Sequence, residues 1–350
     1  MQPLGIGIAG AGLLGRLLAW RLASAGHCVT VFDPAQGPQE RGAAGWTAAG
    51  LLSPIAELEC ADARVAALGW RSITSWRAWT DELAQSGSPV HFAANGSLLL
   101  AHASDRAVAQ RVLRVLAAKA PDDAPDLLDA AAARAMEPAL AHGLSAWLLP
   151  GEAHIHTVQA MQALAAAATA HGTEWRWNHR ARQVAARRID SFRFDHVFDV
   201  RGTGARPALP VRGVRGEILS LHAPGVPLNR PLRLLHARHR VYLVPRPGGE
   251  IVVGASEIES EDRSPISVRS TVELLSAAWS VIPELAEARV VRSETNLRPA
   301  LPDNLPLCRG EPGLTCINGL FRHGWLIAPA LVEDALAALG VSAHRARENA

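Results

Sequence analysis

The glycine triplet Gly10, Gly12 and Gly15, spaced GxGxxG, most tightly constrains what this 350-residue chain can become. Residues 4–33, LGIGIAGAGLLGRLLAWRLASAGHCVTVFD, put the triplet between a buried apolar strand and a helix carrying Leu14, Leu18, Leu22 and Ala25 on one side. Gly26 stops that helix, and the β-branched run CVTVF begins a second strand. Glycines suit such a junction: they permit the tight turn, let a pyrophosphate approach the backbone and let helix pack on strand. Leu13 and Leu14 open the helix, whose free amides favour an anion. Asp33, followed by Pro34, closes the second strand about 20 residues on, where a carboxylate accepts ribose hydroxyls. The same charge repels a 2′-phosphate, so NADP is disfavoured and NAD or FAD remain.

The rest of the chain bounds the architecture. With 49% hydrophobic and 19% charged residues it is globular, and its length exceeds one ordinary domain of about 100–200 residues. Alanine-rich helical text at 62–86, 104–119, 126–136 and 157–171 alternates with strand-like runs at 97–101, 174–177 and 196–200. From Val211 the texture changes to successive antiparallel strands, with PGG at 247–249 supplying a hairpin. From Asn296 loops return, and a last helix is predicted over 330–339. No stretch reads as a linker, so the domains must interleave. The expected fold class is α/β, with a doubly wound, Rossmann-like cofactor domain from 1–86, 151–210 and 296–350. An inserted, mostly antiparallel substrate domain comes from 87–150 and 211–295.

Charge and special residues exclude several roles. The net charge is +2 from 35 basic and 33 acidic side chains with no basic block, which argues against nucleic acid. No run approaches the ~20 apolar residues of a membrane span. Cys28, Cys60, Cys308 and Cys316 show no CxxC spacing and read as reduced thiols of a cytoplasmic protein. His154 and His156 in EAHIHTVQA have neither zinc-helix nor triad spacing, so no metal is expected.

Two further segments suit a long cofactor. RGAAGWTAAGLLSPIAE, 41–57, offers small residues and free amides at Thr47, Ala48, Ala49, Gly50 and Leu51, and VRGTGARP, 200–207, offers Gly202 and Gly204 after a strand. These blocks occur in order with VRGEI at 214–218, YLVPRPGGEIVVGAS at 242–256, NLRPALPDNLP at 296–306 and GLFRHGWLIAPALVEDA at 319–335. In this the chain resembles the D-amino acid oxidase family of FAD-dependent oxidoreductases over nearly its whole length.

The resemblance implies a noncovalent FAD beneath an antiparallel sheet. It implies hydride transfer from a small amino acid, glycine or a D- or N-methyl amino acid, to flavin N5. The imine then hydrolyses, dioxygen is the acceptor, hydrogen peroxide forms, and the product serves thiazole formation for thiamine. By the same resemblance Arg298 clamps the substrate carboxylate, which a guanidinium fork does bidentately. Tyr242, the only tyrosine, reaches that carboxylate too, and the main-chain carbonyl of Arg322 receives the amine. His323, Gly324, Trp325 and Leu326 lie at the flavin before a helix expected to start near Pro329. Leu320 and His323 depart from the family's histidine and asparagine at those positions. Arg240, two residues before Tyr242, shares its strand face and is a candidate extra cation. Family members are often oligomers. The competing readings are a dehydrogenase of the same fold that passes electrons to a quinone or other carrier, and a flavin-binding tRNA-modification partner or non-catalytic dinucleotide-binding module.

Overall fold

Ile6 and Ile8 on the strand Gly5–Ala9 and Val29 and Val31 on the strand Cys28–Phe32 are buried at alternate positions, which fixes the centre of the first sheet. The computed structural model describes residues 2–236 and 240–341. The sheet has the order Leu307–Glu311, Leu314–Asn318, His196–Asp199, Gly5–Ala9, Cys28–Phe32, Glu174–Arg176. All neighbours are parallel except the outermost Leu307–Glu311. Strand order reverses at Gly5–Ala9, so the crevice beyond its carboxyl end is where a doubly wound sheet takes a ligand. The helices Leu13–Ser24, Thr157–Ala170 and Gly324–Ala338, backed by Ala63–Gln85, share a core with it. Ile189 and Phe192, from a small antiparallel sheet spanning 184–193, pack with Phe32 and Val197 in a second core.

The second sheet has eight strands in the order Arg289–Ala300, Arg212–His222, Glu250–Gly254, Arg240–Arg246, Leu232–Leu235, Ser97–Ala101, Ser145–Leu149, Asp126–Leu128. Only Ser97–Ala101 and Leu232–Leu235 pair in parallel. The turn Pro247–Gly249 joins two of its antiparallel strands, as PGG predicts. Leu274, Ala278 and Val281 of the helix Val268–Val281, for which no expectation was drawn, seal the sheet through contacts with Leu219, Leu243 and Val253.

Three expectations need correction. The run 126–136 is a strand, Asp126–Leu128, followed by a helix, Ala130–Met136, because Asp129 caps the amides of Ala131 and Ala132 and sets a new start. The text after Asn296 is not loop: Asn296 lies within the strand Arg289–Ala300, and two further strands complete the first sheet. Pro299 is tolerated within Arg289–Ala300 because this strand lies at a sheet edge. That strand crosses the boundary expected at 296, and residues 342–350 of the segment 296–350 lie outside the described residues.

The last helix starts at Gly324, five residues before Pro329, and ends at Ala338. A proline has no N–H for the carbonyl four residues back, here that of Trp325. Trp76 Nε1–H donates to that carbonyl at 2.9 Å, and the Ala330 amide donates to Ser72 Oγ at 3.1 Å. Two side chains of the neighbouring helix Ala63–Gln85 therefore satisfy groups beside the interruption, and the helix continues.

Candidate active site

Between the two sheets lies a cavity of about 1800 Å³. A small-ligand pocket is typically about 300–1,000 Å³, so this one suits an extended cofactor with a substrate beside it. Gly10, with φ +107°, passes so close to the next strand that a Cβ there would lie 2.7 Å from the Val200 carbonyl oxygen. A Cβ on Gly15 would lie 1.8 Å from the Gly10 carbonyl oxygen, so Gly15 is needed for packing and does not line the cavity. Gly12 faces the cavity, with nothing nearer than 3.6 Å to its Cβ position. No side chain among the described residues caps the helix Leu13–Ser24, so its first amides remain available to an anion.

Beneath this turn sits Arg16, which the sequence reading passed over. It is 1% exposed, and its guanidinium donates to the carbonyls of Ala11 at 2.8 Å, Met161 at 2.6 Å and Pro38 at 2.8 Å. Burial lowers its pKa to about 10. Asp33 lies on the cavity wall beside Pro34, its carboxylate accepting from the Ala11 amide at 2.6 Å and the Ala35 amide at 2.9 Å.

Thr47, Ala48, Ala49, Gly50 and Leu51 line the same wall, as do Gly202 and Gly204. Asn296 pins the segment before them: its Nδ2 donates to the carbonyls of Arg41 and Ala43 at 3.2 and 3.1 Å and to Thr47 Oγ1 at 3.3 Å. Thr157 Oγ1 donates to the Ala48 carbonyl at 2.9 Å, and Trp325 Nε1 to the Gly45 carbonyl at 3.1 Å. His323, Gly324, Trp325 and Leu326 bring the start of the helix Gly324–Ala338 to the cavity. The positive end of that helix dipole therefore faces inward.

Cross-strand pairing assembles the other end. Arg233, Tyr242 and Gly254 stand opposite one another on three adjacent strands, so the first two share a face. Tyr242 lies over Gly254, where a Cβ would come 2.8 Å from the phenol oxygen, and burial pushes the phenol pKa up. Arg298 lies likewise over Gly216, where a Cβ would be 2.4 Å from its Cζ. Its Nη1 donates to the carbonyls of Ser256 at 3.1 Å and Arg215 at 3.3 Å, and it has no carboxylate partner among the described residues. Burial draws its pKa down from the ordinary arginine value.

Glu57 joins the neighbouring cations. Its Oε1 accepts from Arg233 Nη2 at 2.7 Å and its Oε2 from Arg322 Nε at 3.0 Å, with His323 Nδ1 at 3.3 Å. Burial pushes the carboxyl pKa up, but Arg322 and Arg233 hold it well below the usual range. Glu57 in turn raises the pKa of Arg322, which also meets Glu257 at 3.4 Å. Arg240 lines the cavity too, half-exposed, and is engaged by Glu59 at 3.0 Å and Cys60 Sγ at 2.7 Å.

Every candidate cofactor and substrate residue except Gly15 therefore meets at one cavity. Sequence reasoning missed Glu57, Arg233, Gly216, Gly254, Asn296 and Arg16. Glu57, Gly216, Gly254 and Asn296 all stood inside quoted blocks, but only the fold shows what they touch. His154 is buried beside His91, and neither of its ring nitrogens has a partner among the described residues. Among the described residues no cluster of three or more His, Cys, Asp or Glu side chains could hold a metal. None of their helices is long and apolar enough to cross a membrane.

Residues 6–337 match the family of FAD dependent oxidoreductases. The chain belongs to that family. A Rhizobium etli protein named as a thiamine biosynthesis oxidoreductase, ThiO, is 37% identical over 329 residues, covering 93% of this chain and 94% of the relative. Among solved structures, glycine oxidase from Geobacillus kaustophilus superimposes with a TM-score of 0.81 at 25% identity, covering 99% of this chain and 100% of that one. Iminodiacetate oxidase from Chelativorans sp. BNC1 gives 0.79 at 25% identity, covering 98% and 97%. The cofactor is FAD, and the site fits it: the uncapped helix start and open Gly12 suit a pyrophosphate, and the cavity continues from there to the Tyr242 and Arg298 face.

Proposed function

We propose that this chain oxidises glycine or a small D- or N-methyl amino acid to the imine, which water converts to the 2-oxo acid and ammonia or amine. Dioxygen is the electron acceptor and leaves as hydrogen peroxide, and the imine or its product serves thiazole formation for thiamine. The observation that carries this reading is Arg298, a partly buried guanidinium with no carboxylate partner among the described residues, in the FAD-sized cavity beside the partly buried Tyr242. The similarity to ThiO and glycine oxidase supports it.

When bound, FAD would supply the two-electron oxidising capacity for the substrate's α-carbon–hydrogen bond. The chain's own part is orientation. The Arg298 fork clamps the substrate carboxylate, the Tyr242 hydroxyl donates to it, and the carbonyl of Arg322 accepts from the amine. These contacts fix a small zwitterion in a reactive pose. The glycine turn, Asp33 and Pro34, residues 47–51, Gly202 and Gly204, and residues 323–326 hold the cofactor. In the interleaved division 1–86, 151–210 and 296–350 against 87–150 and 211–295, the first set holds the cofactor and also lends Arg298 and Arg322 to the substrate site, where they meet Tyr242 of the second.

The test is anaerobic mixing of the oxidised yellow protein with glycine, sarcosine, D-alanine and D-proline. Bleaching of the flavin by at least one supports the proposal, and bleaching by none overturns it in favour of a non-catalytic module. Peroxide formation in air distinguishes an oxidase from a dehydrogenase that uses a quinone. Arg298→Ala should lose glycine binding while keeping FAD.

A further inference from the structure

Four of the described arginines at the substrate end, Arg233, Arg240, Arg298 and Arg322, are not equivalent. Arg233 and Arg322 share the buried carboxylate of Glu57, Arg322 also meets Glu257, and Arg240 is held by Glu59. Among these described residues three carboxylates face four guanidiniums, and Arg298 is the member of the group that no carboxylate of the described residues contacts. Glu57 is the only one of the three acids that is buried, so its charge is the least screened by solvent. It reaches Arg233 through one oxygen and Arg322 through the other, so it offsets the charge of both guanidiniums although each keeps further N–H donors.

We infer that Glu57 is a specificity-determining residue: by neutralising Arg233 and Arg322 it limits the site to ligands with a single carboxylate and excludes those with two. A second carboxylate entering the wild-type site meets the charge of Glu57 in place of a free cation. Specificity of this kind is a difference of affinities and comes from such repulsion as much as from attraction at Arg298. The inference rests on the substrate site proposed above and names the substrate class: small monocarboxylate amino acids, excluding D-aspartate and iminodiacetate.

The experiment uses non-reacting carboxylates and reads binding, not turnover. Acetate and malonate are titrated into the flavin-loaded protein, and the change in flavin absorbance gives each Kd. Glu57→Gln should raise the preference for malonate over acetate about tenfold or more, with acetate affinity little changed. Arg233→Met should move the ratio the other way, because Glu57 then has one cation fewer to satisfy. That variant still decides the matter if Glu57→Gln does not fold. An unchanged malonate-to-acetate ratio in a folded, flavin-loaded variant of either kind overturns the inference and leaves the substrate site intact. A wild-type flavin that responds to no carboxylate overturns the site and the inference with it. A reversed sign in the two variants is the result expected.

Discussion

Replacing Gly216 by alanine should damage substrate binding while sparing the fold, and the structure gives the size of the effect. The new Cβ would sit 2.4 Å from Arg298 Cζ and 2.5 and 2.6 Å from its two terminal nitrogens. Ordinary contact begins near 3.4 Å, so the guanidinium must withdraw by about 1 Å. The obstructed group is the end of a flexible side chain, and its two contacts to the Ser256 and Arg215 carbonyls are weak at 3.1 and 3.3 Å. Losing both costs about 1–2 kcal/mol of stability, a loss the chain can absorb. Orientation is less forgiving: a 1 Å misplacement costs about 100-fold in rate, equivalent to about 2.7 kcal/mol at the barrier. The assay is stopped-flow flavin reduction by glycine, with FAD affinity measured on the same variant. Gly216→Ala should bind FAD as the wild type does and reduce about 100-fold more slowly. A reduction rate within a factor of about two of wild type would refute the view that the Gly216 clearing positions Arg298. Equal losses of FAD affinity and reduction would refute it too, because the damage would then be general.

Trp76→Phe should leave the Trp325 carbonyl beside Pro329 without its donor and destabilise the chain by about 1–3 kcal/mol in urea unfolding. Adding Pro329→Ala should recover part of that loss by restoring a backbone N–H, and no recovery would count against the interrupted-helix explanation. Burial holds the His154 pKa at about 3, with Arg246 and His91 adding to the depression. In the unfolded chain this histidine takes its proton near pH 6.5, so its contribution is complete above that value and is lost as pH falls toward 3, at about 1 kcal/mol per pH unit. His154→Leu should flatten the stability profile between pH 3 and 6.5, and an unchanged slope would show that other groups govern it.

The first two strands of the first sheet and the glycine turn between them were legible because their signals are local: spacing, periodicity and a carboxylate at the end of the second strand all fall within residues 4–33. The strand Ser97–Ala101 and the helix bounds Ala63–Gln85 and Thr157–Ala170 were legible for the same reason. Pro329 was misread as a helix start because a proline's effect inside a helix depends on what satisfies the freed carbonyl. Here that is the indole of Trp76, 253 residues earlier in the chain. The charge centre was hidden by the same non-locality. Glu57 meets Arg233 across 176 residues and Arg322 across 265, so no window of sequence contains the pair. An arginine count cannot tell a paired guanidinium from one open to a ligand. The distinction that matters for chemistry, between Arg298 and the arginines around it, arises only when folding assigns each carboxylate its partner.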